Sequence, residues 1–307
     1  EFGYSALGLS FLCVVMVLGL IAFLPRLAHS AEPGLVVRLR VWAAVGALLF
    51  FLFILLVAQS RGAWLSLGLG LIGLAVAGLG SRRRAKPGTR PNHKRPLLLP
   101  AVLCIAALGG LWNLFGDALE TRFASEANVL PQVMAMDMER LPYSNGPARI
   151  HLAVWGVRMA AERPLFGWGP GMRTTAYLGE HGFHGSPSKF LRVVRHFEHL
   201  HDVYIEILVR FGLVGAAFFL AAFVLFSRTL LSLWKLRILP DDFFAFAAVV
   251  IVATLVSGLY EFRTLHIDFR FFSLLFGGAV YTFALHRPVA PEDAATGTAH
   301  PTPRGVP

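Results

Sequence analysis

Two histidines and an aspartate stand directly in front of a long apolar run. His199 and His201 are two residues apart, Asp202 follows, and the apolar run from Val203 to Phe226 begins at once. Imidazole is the side chain that gains or loses a proton near neutral pH, and a carboxylate can orient it, so these residues could act in general acid–base catalysis. Ionisable residues at the mouth of a membrane span usually face a cavity or a partner, because lipid cannot solvate them. We therefore expect chemistry at this position.

The two histidines are not expected to act together. A histidine at a helix start is often a cap or an interface residue, and helical side chains two positions apart point in different directions. We place His201 in the first turn of the span and His199 in the preceding loop, so the pattern predicts that only His201 points into the site. Glu206 and Arg210 follow at i, i+4 spacing and are predicted to form an ion pair.

Two arginines offer a second kind of chemistry. Arg61 opens another apolar run, and Arg149 lies in the first turn of a helix that is predicted to end before Pro164. A guanidinium can bind a phosphate through two parallel hydrogen bonds and always carries its charge. Arg61 could instead extend to the membrane interface and take no part in chemistry.

The composition identifies the kind of protein that must position these residues. The chain has 307 residues, of which 56% are hydrophobic and only 15% are charged. Soluble domains have about 25% charged residues, so the chain is predicted to be an integral membrane protein. The net charge of +10 could suggest nucleic acid as a partner. The basic residues instead occupy short loops between apolar segments, as the positive-inside rule predicts, so no nucleic-acid partner is expected.

The predicted fold is all-α: a polytopic transmembrane helical bundle with a large, partly helical loop on the outer side. A membrane helix needs about 20 apolar residues, and seven segments qualify. They are Ser5–Leu24, Val41–Ala58, Ala63–Leu79, Leu97–Phe115, Val203–Phe226, Phe243–Leu259 and Phe271–Leu285. Cys13 and Cys104 both lie inside apolar runs, so neither a disulfide nor a metal site is expected from them.

The short basic loops set the orientation. Three of them fall on one side if the seven spans alternate, and the positive-inside rule makes that side cytoplasmic. The chain then divides into four membrane helices over 1–115, an outer loop domain over 116–202, three membrane helices over 203–287 and a disordered cytoplasmic tail over 288–307. Because the sequence opens without methionine, we expect it to be a fragment whose earlier spans are missing.

Together these features resemble the O-antigen ligase and Wzy-type polymerase superfamily of bacterial membrane glycosyltransferases. One signature of that family is an arginine followed four residues later by leucine at the outer end of a span, as in Arg61 and Leu65. Another is a histidine, then Asn, Ser or Gln, nine further residues and Gly-x-x-Gly. His201 lies at that distance from Gly212 and Gly215.

Two further points bear on the resemblance, which covers roughly residues 45–285. Asp202 departs from the family pattern, since it places an anionic group where the family has an amide or a hydroxyl. The outer segment that carries Arg149 and then Gly167-Trp-Gly169 is also similar to the family.

The resemblance implies transfer of a glycan from an undecaprenyl-pyrophosphate carrier to an acceptor hydroxyl on the periplasmic face of the inner membrane. The implied partners are that lipid-linked donor, membrane lipid and an acceptor, which is lipid A-core in a ligase. Arg61 and Arg149 would hold the pyrophosphate and His201 would be the general base, with no metal and no cofactor. His199 and Asp202 would contribute to substrate binding, and Asp202 could also orient the imidazole.

Other functions remain open at this level. A Wzy-type polymerase would use a growing glycan as acceptor, and a protein O-oligosaccharyltransferase would use a protein serine. A transporter of the lipid-linked glycan belongs to a different class and would need cationic residues along a path through several spans.

Overall fold

The computed structural model describes the chain over residues 6–28, 34–58, 60–84, 131–132, 135, 141, 145–181, 199–262 and 266–285. Its helices are α1 (Ala6–Ala28), α2 (Gly34–Ala58), α3 (Arg61–Arg84), α4 (Asn145–Glu162), α5 (Thr174–His181), α6 (Val203–Lys235), α7 (Asp241–Gly258) and α8 (Ile267–Leu285). These ranges contain no strand, so the predicted all-α class is confirmed.

Six of these helices are long and apolar enough to cross a membrane, so the chain is a multi-pass membrane protein. They are α1, α2, α3, α6, α7 and α8. The predicted span Leu97–Phe115 and the predicted tail from residue 288 lie outside the described residues. All six described spans are longer than predicted; α2, for example, begins at Gly34, and α6 continues to Lys235. Hydropathy marks the part of a helix that lies in hydrocarbon, whereas helical hydrogen bonding continues beyond it.

The apolar core of the bundle lies among α1, α2, α3 and α7. Each helix contributes aliphatic side chains spaced three, four or seven residues apart, which places them on one face. The buried members include Val14, Leu18, Leu48, Leu55, Leu67 and Val249. This packing fixes the position of the start of α3 relative to the end of α7.

A second cluster holds α4 against the first turns of α6. Ala148, Leu152, Trp155 and Met159 of α4 pack there with Val209 of α6. The indole of Trp168, in the turn after α4, donates a hydrogen bond to the carbonyl oxygen of Met159 (2.9 Å). The loop segment between the membrane spans is therefore fastened to the same end of the bundle as the start of α6.

Helix α6 is broken near its start. Its 33 residues would extend about 50 Å, well beyond the roughly 30 Å of hydrocarbon in a bilayer. Gly212 interrupts the helical dihedral angles with φ 64° and ψ −166°. A side chain at Gly212 would overlap the backbone of Leu165, so this position requires glycine both for its positive φ and for the close approach.

The turn after α4 fills this break with backbone hydrogen bonds. The amides of Trp168 and Gly169 donate to the carbonyl oxygens of Val209 (2.8 Å) and Arg210 (2.9 Å), and the amide of Leu213 donates to Pro164 (2.8 Å). The turn thus satisfies backbone groups that an unbroken helix would have paired internally. At Gly212, the first glycine of the Gly-x-x-Gly step, the backbone that approaches closely is that of a loop.

Candidate active site

The residues singled out in the sequence meet at one end of the bundle. Arg61 opens α3, Arg149 lies in the second turn of α4, and His201 precedes α6. The turn that follows α7, at Tyr260 and Glu261, lies among them. Four segments distant in sequence therefore build one polar region.

Hydrogen bonds from two helices hold the turn after α7. The phenol of Tyr260 lies 2.9 Å from the hydroxyl oxygen of Ser66 in α3, and Arg149 donates from Nη1 to the carbonyl oxygen of Tyr260 (2.9 Å). The phenol of Tyr204 also donates to the carbonyl oxygen of Leu255, near the end of α7 (2.8 Å). These contacts fix the backbone from which Glu261 extends.

The carboxylate of Glu261 lies against both imidazoles. Its Oε1 is 3.6 Å from Nε2 of His199, and its Oε2 is 3.8 Å from Nδ1 of His201. The two rings contact each other edge to face, with centroids 4.5 Å apart. The expectation that the histidines diverge is therefore wrong, because this segment is not helical: His201 has φ 58° and precedes the N-cap.

Asp202 is the N-cap of α6. Its Oδ1 accepts a hydrogen bond from the amide of Ile205 (2.9 Å), which satisfies one of the unpaired amides of the first turn. Burial raises the pKa of Asp202, and its bonds with the backbone of Ile205 and Tyr204 lower it. The carboxylate of Asp202 thus caps the helix, whereas the carboxylate of Glu261 approaches the imidazole of His201.

The two candidate phosphate ligands both approach Tyr260: Arg149 donates to its carbonyl oxygen, and Gly62, the residue after Arg61, packs against its ring. Burial lowers the pKa of Arg149; the nearby Glu261 carboxylate raises it, and repulsion from Arg61 lowers it. Arg61 itself is exposed. Because the two cations repel each other, an anion bound between them would stabilise both, as a phosphate would.

The predicted ion pair of Glu206 and Arg210 is confirmed. Arg210 donates from Nε to Oε1 of Glu206 over 2.7 Å, and the two side chains are only 9% and 0% exposed. Glu206 also accepts from the hydroxyl of Thr174 (3.0 Å) and from the amide of Leu200 (2.8 Å). Since Leu200 stands between the two histidines, this buried pair anchors the segment that carries them.

A cleft of about 330 Å³ opens beside this cluster. His199 and Arg210 lie in its wall, and Arg173 lies at its exposed side. Its complete lining is Gly171, Met172, Arg173, His199, Arg210, Phe262 and His266. Burial, followed by repulsion from His201, lowers the pKa of His199 to about 4. His199 is therefore neutral at pH 7 and a weak base.

The cluster also has donor atoms of the kind that bind divalent metals. One nitrogen from each histidine and one oxygen of Glu261 all lie within 4.8 Å of one another. However, Arg149 is close to Glu261 and Arg210 is close to His199, and their positive charges oppose the binding of a further cation. These surroundings favour proton transfer and anion binding over the binding of a metal ion.

Sequence reasoning missed Glu261 and Tyr260. Both follow the predicted span Phe243–Leu259 at its outer end, and a carboxylate directly beyond a span was the available signal. The spacing around His201 gave no indication of them, because they approach from a different helix.

Comparison with known proteins gives one family. The family model described as O-antigen ligase matches residues 46–220, more than half of the chain. The match includes Arg61, Arg149, His201 and the Gly-x-x-Gly step, and ends before Glu261. No curated protein matches the chain.

Proposed function

The chain belongs to the O-antigen ligase family, and on that premise we propose that it moves a glycan from undecaprenyl pyrophosphate to an acceptor hydroxyl at the periplasmic face of the bacterial inner membrane. Enzymes of this family are ligases or polymerases of the glycosyltransferase type. The observation that carries the proposal is the meeting of two guanidiniums and a histidine–carboxylate cluster at one end of the bundle. The guanidiniums suit an anionic leaving group, and the histidine–carboxylate cluster suits a hydroxyl that must lose a proton.

Arg61 and Arg149 bind the pyrophosphate of the donor. The negative charge on the pyrophosphate grows as its bond to the sugar breaks, and cations placed beforehand stabilise that charge. The placement of Arg61 and Arg149 beside the same turn supports this role, because a bound anion relieves their repulsion. Arginine can supply this stabilisation without a metal ion.

His201 is the general base. The oxygen of the acceptor hydroxyl forms a bond to the anomeric carbon, while the bond from that carbon to the pyrophosphate oxygen breaks and its electron pair leaves with undecaprenyl pyrophosphate. The hydroxyl proton passes to the imidazole of His201. Two observations support His201 rather than His199 as the base. His201 has the sequence spacing from Gly212 that the family signature requires, and the pKa of His199 is low.

The acceptor we propose is lipid A-core. Purified protein in detergent, incubated with lipid-linked glycan and separate acceptors, would test this choice by mass spectrometry of the products. Transfer to lipid A-core supports a ligase, extension of the lipid-linked glycan identifies a polymerase, and a glycosylated serine identifies a protein O-oligosaccharyltransferase. Absence of transfer to any acceptor contradicts the proposal.

Among the described residues, the distribution of charge disfavours a transporter. The ion pair of Arg26 with Asp242 lies at the end of the bundle opposite to the histidines, near the end of α1 and the start of α7. The pair of Glu206 with Arg210 lies near the histidines and is already closed on itself. A transport path would instead need cationic groups along the middle of several spans.

Arg61→Lys tests the phosphate contact. Lysine keeps the charge but loses the two parallel donors, so we expect transfer to fall nearly as far as in Arg61→Ala, by roughly 10²-fold or more if the contact acts mainly in the transition state. Initial rates with purified protein would measure this. The matched control is Arg158→Lys, on the exposed side of α4, which should keep its activity. Full activity in Arg61→Lys would assign Arg61 to the membrane interface.

A further inference from the structure

Glu261 lies against both His199 and His201, whereas the family signature contains only His201. Each of its oxygens faces a different ring: Oε1 faces His199 at 3.6 Å and Oε2 faces His201 at 3.8 Å. All three side chains are nearly buried, with 12%, 11% and 5% exposure for His199, His201 and Glu261. Such a carboxylate can set the protonation pattern of both rings.

The tautomer of His199 follows from its hydrogen bond. The backbone amide of His201 donates to Nδ1 of His199 (3.3 Å), so Nδ1 carries a lone pair. A neutral imidazole has one protonated nitrogen, which must then be Nε2, the atom facing Glu261. The low pKa of His199, about 4, agrees with this neutral form.

The same hydrogen bond shapes the backbone of His201. That residue has φ 58°, a conformation that residues other than glycine rarely adopt,. Its amide is fixed by His199, and the preceding amide, that of Leu200, is fixed by Glu206 (2.8 Å). The orientation of the His201 ring thus depends on His199.

We propose that Glu261 and His199 are positioning residues for His201: Glu261 holds the proton of the neutral ring on Nδ1, which leaves Nε2 as the base, and His199 holds Glu261 and the backbone of His201 in place. The inference rests on the proposed function for the identity of the base. When Nε2 takes the acceptor proton, the ring becomes an imidazolium, and the ionised Glu261 stabilises it. The contacts of 3.6 and 3.8 Å then shorten to hydrogen bonds, as contacts in substrate-free sites often do.

The charges around the cluster are compatible with this arrangement. Arg149 of α4 attracts the carboxylate of Glu261 and is itself repelled by Arg61 of α3. Arg210 of α6 and His266, just before α8, face His199. The positive charges of the arginines favour a neutral His199 and an ionised Glu261.

Glu261→Gln removes the negative charge of the carboxylate and keeps the size and shape of the side chain. Glutamine has one oxygen and one amino group where glutamate has two oxygens, so one imidazole must face a donor instead of an acceptor. Spectra that correlate ring protons with ¹⁵N nuclei in ¹⁵N-histidine-labelled protein, in detergent and without substrate, report which nitrogen of His201 is protonated. The His201 signals are identified by their loss in His201→Asn.

We expect the Nδ1–H form of His201 in the unchanged protein and a shift toward Nε2–H in Glu261→Gln. The exposed Glu162→Gln should leave the spectrum unchanged. An Nε2–H ring in the unchanged protein, or the same tautomer in both proteins, overturns the inference. Because no glycan transfer is involved, this result stands apart from the success or failure of the proposed function.

Kinetics complete the test. Transfer should fall in Glu261→Gln on the order of 10²-fold in kcat, with KM for the donor within about threefold, since the wrong tautomer removes the base and leaves phosphate binding intact. The acidic limb of the rate profile should move to lower pH, which loss of a merely structural contact would not cause. His199→Asn, whose side-chain oxygen can still accept from the amide of His201, should retain more activity than His199→Ala. Equal activity in these two variants, or an unmoved pH profile in Glu261→Gln, contradicts the positioning roles.

Discussion

The two ends of the helix bundle carry the same kind of ion pair in different surroundings. At one end Arg26 contacts Asp242 over 2.6 Å, with side chains 57% and 25% exposed. At the other end Arg210 contacts Glu206 over 2.7 Å, with side chains 9% and 0% exposed. The distances are nearly equal, whereas the burial differs strongly. An exposed pair contributes little to stability, whereas a buried pair is costly to place and still more costly to break.

The difference shows which end of the bundle contains energetically unfavourable features. The end with the buried pair also has the helix break at Gly212 and the left-handed backbone of His201. At the opposite end, the described non-glycine residue with positive φ is Arg237 (φ 61°), which lies in the exposed turn between α6 and α7. Strained backbone and a buried ion pair occur together where a site has to be held in one geometry, and here both surround the histidine–carboxylate cluster.

Removing one partner from each pair gives the largest expected difference. Arg210→Ala leaves Glu206 buried without its cation, so we expect the free energy of unfolding to fall by roughly 3–5 kcal/mol. Arg26→Ala should lower it by about 1 kcal/mol or less. Thermal unfolding of the purified proteins in one detergent would compare them. Similar losses in both variants would remove the distinction between the two ends.

Acid should destabilise the histidine end specifically. The pKa of His199 is lowered from its usual value near 6.5 to about 4 by burial and by His201. Between these values the unfolded chain binds more protons than the folded one, so stability rises with pH across this window and falls on acidification. The full difference corresponds to roughly 3 kcal/mol. Unfolding midpoints from pH 7 to 4 should therefore fall less steeply in His199→Gln than in the unchanged protein; equal slopes would refute the low pKa.

Asp202 gives a smaller effect that separates capping from chemistry. Asp202→Ala should lower the free energy of unfolding by about 1 kcal/mol through loss of the N-cap. Asp202→Asn should preserve both stability and transfer, because asparagine caps helices equally well and is a residue that the family signature allows. Loss of transfer in a stable Asp202→Asn protein would show that this carboxylate acts on the imidazole after all.

The sequence predicts the regular end of the molecule better than the site. Apolar runs of about 20 residues identify the described spans because lipid requires internally paired backbone, and i, i+4 spacing identifies the pair of Glu206 with Arg210. The break at Gly212 and the orientation of His201 depend on contacts with the turn after α4 and with Glu261. No periodicity encodes such contacts. The assignment of Asp202 as an orienting group rests on its place beside His201 in the sequence and stays a prediction, whereas its contact as the N-cap of α6 is seen in the structure.

His201→Asn is the most direct test of the account. Asparagine tolerates positive φ better than most residues, so the backbone of His201 can be kept while the imidazole is removed. We expect glycan transfer by purified protein to fall by about 10²–10⁴-fold, with the unfolding midpoint and donor binding unchanged. Transfer near the original rate would contradict the central claim that His201 is the base, and so would a loss of activity that only follows loss of folded protein.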